Sequence, residues 1–129
     1  MSNYILDKAY AIDEETGVGA CLAVVQATDA GKARLPAGAN AGSILGVTVH
    51  GQALKGANVA VRKAGIARVK AAGPIAVGAP VNVAGDGGKV KAIGEEPGTK
   101  INCLGFAETA ASADGDIVEV FIALHERTA

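Results

Sequence analysis

The sequence has few of the residues on which catalysis and ligand binding usually depend. Its 129 residues include no tryptophan, only four other aromatic residues, two cysteines and two histidines. Small residues are abundant instead, with 27 alanines, 14 valines and 18 glycines. A chain of this length is typical of one domain, and it can bury a real, if thin, apolar core. We therefore predict a single folded domain over residues 1–129 and not a multidomain enzyme.

Cysteines and long apolar runs are too scarce for several classes of protein. Cys21 and Cys103 lie 82 positions apart and neither belongs to a Cys-x-x-Cys motif, so they do not indicate a zinc site. We expect both cysteines to be small buried side chains, and the sequence does not decide whether they form a disulfide. The longest apolar run, residues 20–25, is far too short to span a membrane. The first eight residues lack the apolar stretch of a secretory signal, so we expect synthesis in the host cytoplasm without membrane contact.

The net charge of −1 conceals an uneven distribution along the chain. Residues 1–29 carry a net charge of −4, residues 30–85 a net charge of +7, and residues 86–129 a net charge of −4. A basic middle segment suits nucleic acid or an acidic protein surface. No aromatic residue lies within 30–85, so the stacking platform of a single-strand-binding protein is missing there. The pattern disfavours nucleic acid and indicates strand faces whose charge is balanced by the acidic ends.

The sequence contains two similar halves. With an offset of 57 residues, segment 27–34 matches segment 84–91, and both contain Asp-x-Gly-Lys. With an offset of 59, the Leu-Gly pair at 45–46 matches the Leu-Gly pair at 104–105. The order of the matches is the same in both halves, so we predict an internal duplication.

Each half has the pattern of several short β-strands. Apolar and other residues alternate along 117–124, which is typical of a half-buried strand. Frequent glycines and short, regularly spaced strands predict an all-β barrel or sandwich, as one pseudo-symmetric barrel or two similar sheets. We predict repeats at 17–73 and 74–129. Residues 1–16 fall outside them and form an N-terminal arm, which either straps the barrel or docks on another subunit.

No group of residues has the spacing of a reactive site. The Gly-Lys pairs at 31–32 and 88–89 lack the upstream glycine and the following Ser or Thr of a phosphate-binding loop. His50 and His125 are isolated and have neither metal-ligand nor catalytic-triad spacing. We therefore predict that the protein is not an enzyme and that it has no catalytic residue, no metal site and no cofactor.

Several glycine and valine spacings resemble a family of tailed-phage proteins. The segments that carry the resemblance are 44–47, 63–69, 75–81, 86–90, 103–107 and 114–120. Many members of this family are labelled RecA/RadA-type recombinases, but its structurally understood relatives are capsid decoration proteins, also called cement proteins. An ATP-driven recombinase needs a phosphate loop and a larger α/β core. The sequence has neither, so the resemblance implies the decoration role.

The resemblance implies a structural protein of the virion that binds the outside of a phage head and stabilises the shell across subunit joints. Its expected partners are the major capsid protein and other copies of itself, with a homotrimer preferred to a homodimer. The alternatives are a DNA-associated phage accessory protein without ATPase activity and a small ligand-binding β-barrel, for which aromatic residues are few. The residues predicted to form the interface, from the arm and from a basic face, are Tyr4, Ile5, Leu6, Tyr10, Arg62, Arg68 and Lys70.

Overall fold

A computed structural model describes residues 6–85, 87–94 and 97–128, and in these ranges the protein is built from strands and contains no helix. The all-β prediction is confirmed. None of the described residues forms an apolar helix of membrane-spanning length. The strands are β1 (Leu6–Ile12), β2 (Ala23–Gln26), β3 (Lys32–Arg34), β4 (Ile44–Thr48), β5 (Asn58–Ala64), β6 (Ile66–Lys70), β7 (Pro80–Val83), β8 (Val90–Ala92), β9 (Lys100–Ala107) and β10 (Ile117–Thr128).

The first five strands close into a barrel, which we call the first barrel. Their order is β1-β3-β2-β4-β5, and β1 completes the ring by pairing antiparallel to β5 and parallel to β3. Because alternate residues of a strand point to opposite faces, every second side chain of these strands points into the interior of the barrel. The interior is a packed core rather than a ligand cavity. It is filled by Tyr10, Ile12, Val18, Val24, Ala33, Leu45, Val59 and Val61.

Residues 6–12, which belong to the predicted N-terminal arm, form a strand of the first barrel. Tyr10 and Ile12 lie in the core of the first barrel, and removing β1 would open the ring between β3 and β5. The strand that holds the same place in the second half is β6, because β6 pairs antiparallel to β10 as β1 does to β5. The two strands have little sequence in common, which is why the repeat did not extend to β1. The rest of the predicted arm includes Tyr4 and Ile5, which lie outside the described residues.

The second half, β6 to β10, repeats the arrangement of the first barrel but closes differently. Its order is β6-β10-β9-β7-β8, and a parallel bridge from Ala71 to Val90 stands where β1 pairs with β3. First-half residues occupy the seam beside this bridge. The Lys70 N–H donates to the Cys21 carbonyl (2.9 Å), and the Ala23 N–H donates to the Gly88 carbonyl (2.8 Å). The second half is therefore a five-stranded sheet whose edges are joined by a single bridge, with residues 21–23 partly filling the seam.

The strand pairing divides the chain at Gly65, between β5 and β6, whereas the predicted repeats meet at residues 73 and 74. Although β5 and β6 follow each other directly, β5 pairs within the first barrel and β6 pairs with β10. The sequence shows two consecutive alternating strands at this point. It does not show that they belong to different sheets.

Two equivalent glycines lie at close backbone approaches, one in each half. A Cβ atom at Gly46 would overlap the carbonyl oxygen of Arg62 on the neighbouring strand, and one at Gly105 would overlap that of Phe121. Glycine is required where two backbones come this close. The repeated Leu-Gly pair in the sequence therefore has a structural cause that is shared by both halves.

The two halves are joined by apolar packing and by an asparagine cluster. Ala23 and Val47 belong to the first barrel, yet they pack within the core of the second half. Asn40 has a left-handed backbone (φ 58°). Its side-chain oxygen accepts the Asn102 N–H (2.8 Å), and its side-chain nitrogen donates to the Lys100 carbonyl (2.7 Å). These contacts link the loop after β3 to the start of β9.

Candidate binding surfaces

Three of the residues predicted for the interface lie in the first barrel, in different environments. Tyr10 is 4% exposed and accepts a hydrogen bond from the Lys63 ammonium at 2.6 Å, so it is a core residue rather than a surface contact. The Arg62 guanidinium donates two hydrogen bonds to the Asp7 carboxylate, at 3.0 and 3.2 Å, and this pairing raises the pKa of Arg62. Leu6 is 57% exposed at the start of β1.

Arg68 and Lys70 lie together on the outer face of β6. They alternate with the buried residues Ala67 and Val69, so both side chains point away from the core. Within the described ranges neither forms an ion pair, although Glu119 stands directly opposite Arg68 in the register of β6 and β10. The structure brings together this part of the predicted basic face. Arg62 lies beside it: its guanidinium donates to the Ile66 carbonyl at 3.3 Å, and Arg62 and Arg68 line the same groove between the halves. Unlike Arg68 and Lys70, Arg62 is paired with Asp7.

An apolar row that the sequence analysis missed crosses the outer face of the second half. Phe121 stands opposite Ile66 on one side and Phe106 on the other, and Phe106 stands opposite Pro80. Residues directly opposite each other in antiparallel strands share one face. Ile66, Phe121 and Phe106 are 43%, 48% and 36% exposed. We call these four residues the second row, and it contains two of the four aromatic residues of the chain.

The first barrel has an equivalent row, which is mostly covered. Arg62 stands opposite Asp7 and Val47, and Val47 stands opposite Ala23. We call these four residues the first row. Val47 and Ala23 are buried against the second half, while the Asp7–Arg62 ion pair lies at the partly exposed end. The same position in the fold is therefore a covered face in the first barrel and an open face in the second half.

A bulge in β10 extends the apolar area of the second row. The register with β9 shifts between Ile122 and His125, and the His125 ring stacks on Phe106 with ring centroids 5.7 Å apart and an interplanar angle of 15°. The alternation along 117–124 predicts that Leu124 shares the buried face of Val118. Leu124 is instead 44% exposed, because it lies within the shifted segment.

The polar and sulfur-containing side chains do not assemble a reactive centre in the part of the chain that the structure describes. No three His, Cys, Asp or Glu residues in these ranges are grouped so that they could hold a metal ion. Both cysteines are free. Burial raises the pKa of the Cys103 thiol, as expected for a small buried side chain. Cys21 is only partly buried and lines a groove of about 160 Å³ between the halves.

These features define an all-β module whose second half has an exposed apolar row on its outer face. A family model for phage cement proteins matches residues 23–122, and the chain belongs to that family. This confirms the resemblance found in the sequence, and membership gives the protein a structural role associated with the phage capsid.

A solved structure has a similar fold. It is the N base of the head fibre protein gp8.5 of bacteriophage phi29, with 18% sequence identity and a TM-score of 0.64. The similarity covers 93% of this chain and 95% of that chain. At this identity it shows the fold alone. No curated protein sequence matches the chain.

Proposed function

We propose that the protein is a cement protein that binds the outside of an assembled phage head and stabilises the shell across the joints between its subunits. The family match over residues 23–122 is the observation that carries this proposal. The fold supports it, because the phi29 chain with the same fold is the base of a head fibre. The proposed role requires binding and rigidity but no catalysis.

Rigidity is the physical property that this role needs. Packaged DNA presses on the shell from inside, and a module bound across a joint adds its binding free energy to the cost of separating the two subunits. A module that deforms easily would stretch instead of resisting that separation. Here the seam bonds of residues 21–23, the shared apolar core and the Asn40 cluster join the two halves into one body.

The proposed shell contacts are the basic face of β6 and the N-terminal residues. Arg68 and Lys70 have no ion-pair partner in the described ranges, so they are available to an acidic shell surface. Leu6 is exposed, and Tyr4 and Ile5 precede it in the sequence as further apolar contacts. Arg62 contributes less in this proposal because Asp7 already neutralises it. Self-association, with a homotrimer preferred, is part of the same proposal.

The test is rebinding of purified protein to heads of the source phage that lack it. Bound copies are counted after sedimentation of the heads, and shell stability is followed by the temperature of DNA release. We expect saturable binding and a higher release temperature. Heads that bind no wild-type protein, or that bind it without any gain in stability, would contradict the proposal.

Charge-reversed variants test the basic face. The double variant Arg68→Glu with Lys70→Glu should bind heads at least about tenfold more weakly, a change of about 1.4 kcal/mol. Lys32→Glu serves as the control, because Lys32 is an equally charged residue at a hairpin of the first barrel. Equal binding by the double variant and the control would remove the basic face from the proposal.

The arm is tested by a truncation that leaves β1 intact. Deleting residues 2–12 would remove a barrel strand, so a loss of binding in that variant would report only unfolding. Deleting residues 2–5 leaves β1 in place. The shorter deletion should preserve the unfolding midpoint and weaken binding to heads. Unchanged binding would exclude a contribution from Tyr4 and Ile5.

A further inference from the structure

We propose that the second row, Ile66, Pro80, Phe106 and Phe121, is the surface through which one copy of this protein binds another copy. The inference rests on the self-association included in the proposed function and not on binding to the shell. It assigns to that self-association a face of β6, β10, β9 and β7 that lies outside the residues predicted from the sequence.

The first argument is the equivalence of the two halves. In the first barrel the equivalent positions Val47 and Ala23 are fully buried, and the second half, which covers them, has the corresponding strand order. The position therefore already serves as a docking face between two such halves within one chain. In the second half Phe106 and Pro80 hold these two positions, and the described part of the chain leaves Phe106 partly exposed.

The second argument is the chemistry of the row. Two of its members are apolar where the first row is charged. Ile66 and Phe121 occupy the positions that Asp7 and Arg62 occupy in the first barrel. Exposed aromatic side chains in a contiguous apolar patch are typical of interface centres. A stacked imidazole, that of His125, adds to the patch.

The charges beside the row favour a copy of the same chain as the occupant. On the same face, the next pair along β6 and β10 is Arg68 opposite Glu119. This part of the row's margin therefore carries one charge of each sign. A margin of this kind can be complementary to another copy of the same surface.

The contact between copies must differ from the contact between the two halves. Within the chain, the Lys70 N–H lies at the open seam of the second half and donates to the Cys21 carbonyl of the first half. In the first barrel the corresponding Ala11 N–H already donates to the Gly31 carbonyl of the same barrel, at 2.9 Å. A second copy therefore finds no open seam there. The contact must depend on the side chains of the row, and single substitutions in the row should weaken it.

The experiment is sedimentation equilibrium of the purified full-length chain over a wide concentration range, without phage heads. We expect a mass that is an integer multiple of the chain mass. Phe121→Glu should weaken association at least about tenfold, because each interface would have to bury a carboxylate in apolar surroundings. The control is Leu54→Glu, since Leu54 is a similarly exposed apolar residue (68%) away from the row. It should leave the mass unchanged.

Each outcome supports or overturns the inference. Ile66→Lys provides a second variant at an exposed position in case Phe121→Glu does not fold, as judged by its unfolding midpoint. A monomeric wild type, or an unchanged mass in both row variants, would overturn the inference. A monomer that binds a single-stranded oligonucleotide only when Phe121 is present would overturn it in favour of nucleic acid. A normal oligomer that fails to bind heads would leave the inference intact and contradict the shell-binding proposal instead.

Discussion

The two halves of the molecule have the same strand order but differ in closure and in the chemistry of one face. The first barrel closes through the pairing of β1 with β3, whereas the second half has a single bridge and a seam filled by residues 21–23. The first row contains an ion pair and two buried small residues, while the second row is apolar and partly exposed. Equivalent positions in the two halves thus hold different residues in different surroundings.

This difference separates what the fold requires from what binding requires. Features common to both halves, such as the close backbone approaches at Gly46 and Gly105, belong to the fold. Features present in only one half, such as the partly exposed Phe106 and Phe121, are not required by the fold, since the other half adopts the same strand order without them. Substitutions at equivalent positions can therefore distinguish the two kinds of feature.

The largest effect is expected at the glycines that both halves share. Gly46→Ala and Gly105→Ala should each lower the free energy of unfolding by roughly 3 kcal/mol, since the added Cβ overlaps a carbonyl oxygen of the neighbouring strand. Urea denaturation measures the loss. Gly38→Ala is the control, because a Cβ at Gly38 meets nothing within 4 Å. A large loss at one glycine and none at the other would break the structural equivalence of the halves.

The next largest effect on the free energy of unfolding compares the seam of the second half, which residues 21–23 fill, with the closed seam of the first barrel. Gly31 and Gly88 are equivalent and have similar φ values of +77° and +80°, but only at Gly88 would a Cβ contact the first-half residues Leu22 and Ala23. Gly31→Ala should cost about 1 kcal/mol for the left-handed backbone. Gly88→Ala should cost about 2 kcal/mol more because of the additional overlap. Equal losses in urea denaturation would show that residues 21–23 do not occupy the seam in solution.

A smaller difference is expected between the covered row and the open row. Val47→Ala should cost about 2 kcal/mol, since it leaves a cavity between the two halves. Phe106→Ala, at the equivalent position, should cost no more than about 1 kcal/mol in the monomer because its ring lies on the outer face of the sheet and is 36% exposed. The measurement is thermal unfolding at low protein concentration. A larger loss for Phe106→Ala would mean that the second row belongs to the monomer core.

The smallest effect concerns a turn in which the halves differ. The Asp116 carboxylate accepts hydrogen bonds from the Ser112 N–H, the Ser112 hydroxyl and the Ala113 N–H at 3.0, 3.0 and 3.1 Å, and these bonds lower the pKa of Asp116. Ala57 holds the equivalent position in the first barrel. Asp116→Ala would therefore make the second turn similar to the first.

The sign of the pH dependence follows from the lowered pKa. Stabilisation by Asp116 is fully present above the ordinary carboxyl pKa of about 4, and it is lost as the pH falls through the lower pKa of the folded state. The unfolding midpoint of the wild type should thus exceed that of Asp116→Ala at pH 7. The difference should disappear at the acidic end of a series from pH 7 to pH 2. A difference that stays constant over the series would contradict this account.

Local patterns in the sequence predicted most of the strands. Alternation along 117–124 and the repeated Leu-Gly pair depend on neighbours in the chain and on backbone crowding, so both were visible without coordinates. The sequence does not show that β1 is a barrel strand. Tyr10 and Ile12 occupy positions in the core of the first barrel that correspond to those of Val69 and Ala71 in the core of the second half. Different side chains thus serve one structural role, and no repeat could be seen.

The second row could not be predicted for a different reason. The sequence places Phe121 on the face opposite Val118 and Val120, which the structure shows as the buried face. That Phe106 and Ile66 stand beside Phe121 depends on the register of three strands, which is set by pairing between distant parts of the chain. The basic face was partly predicted for the opposite reason, since Arg68 and Lys70 lie on one strand and share a face by alternation alone.

The most direct test of the proposed cement function is quantitative protein analysis of purified particles of the source phage. The account predicts a copy number comparable to that of the major shell protein, with a fixed ratio of copies per shell subunit. The complete absence of the protein from otherwise intact particles would contradict it.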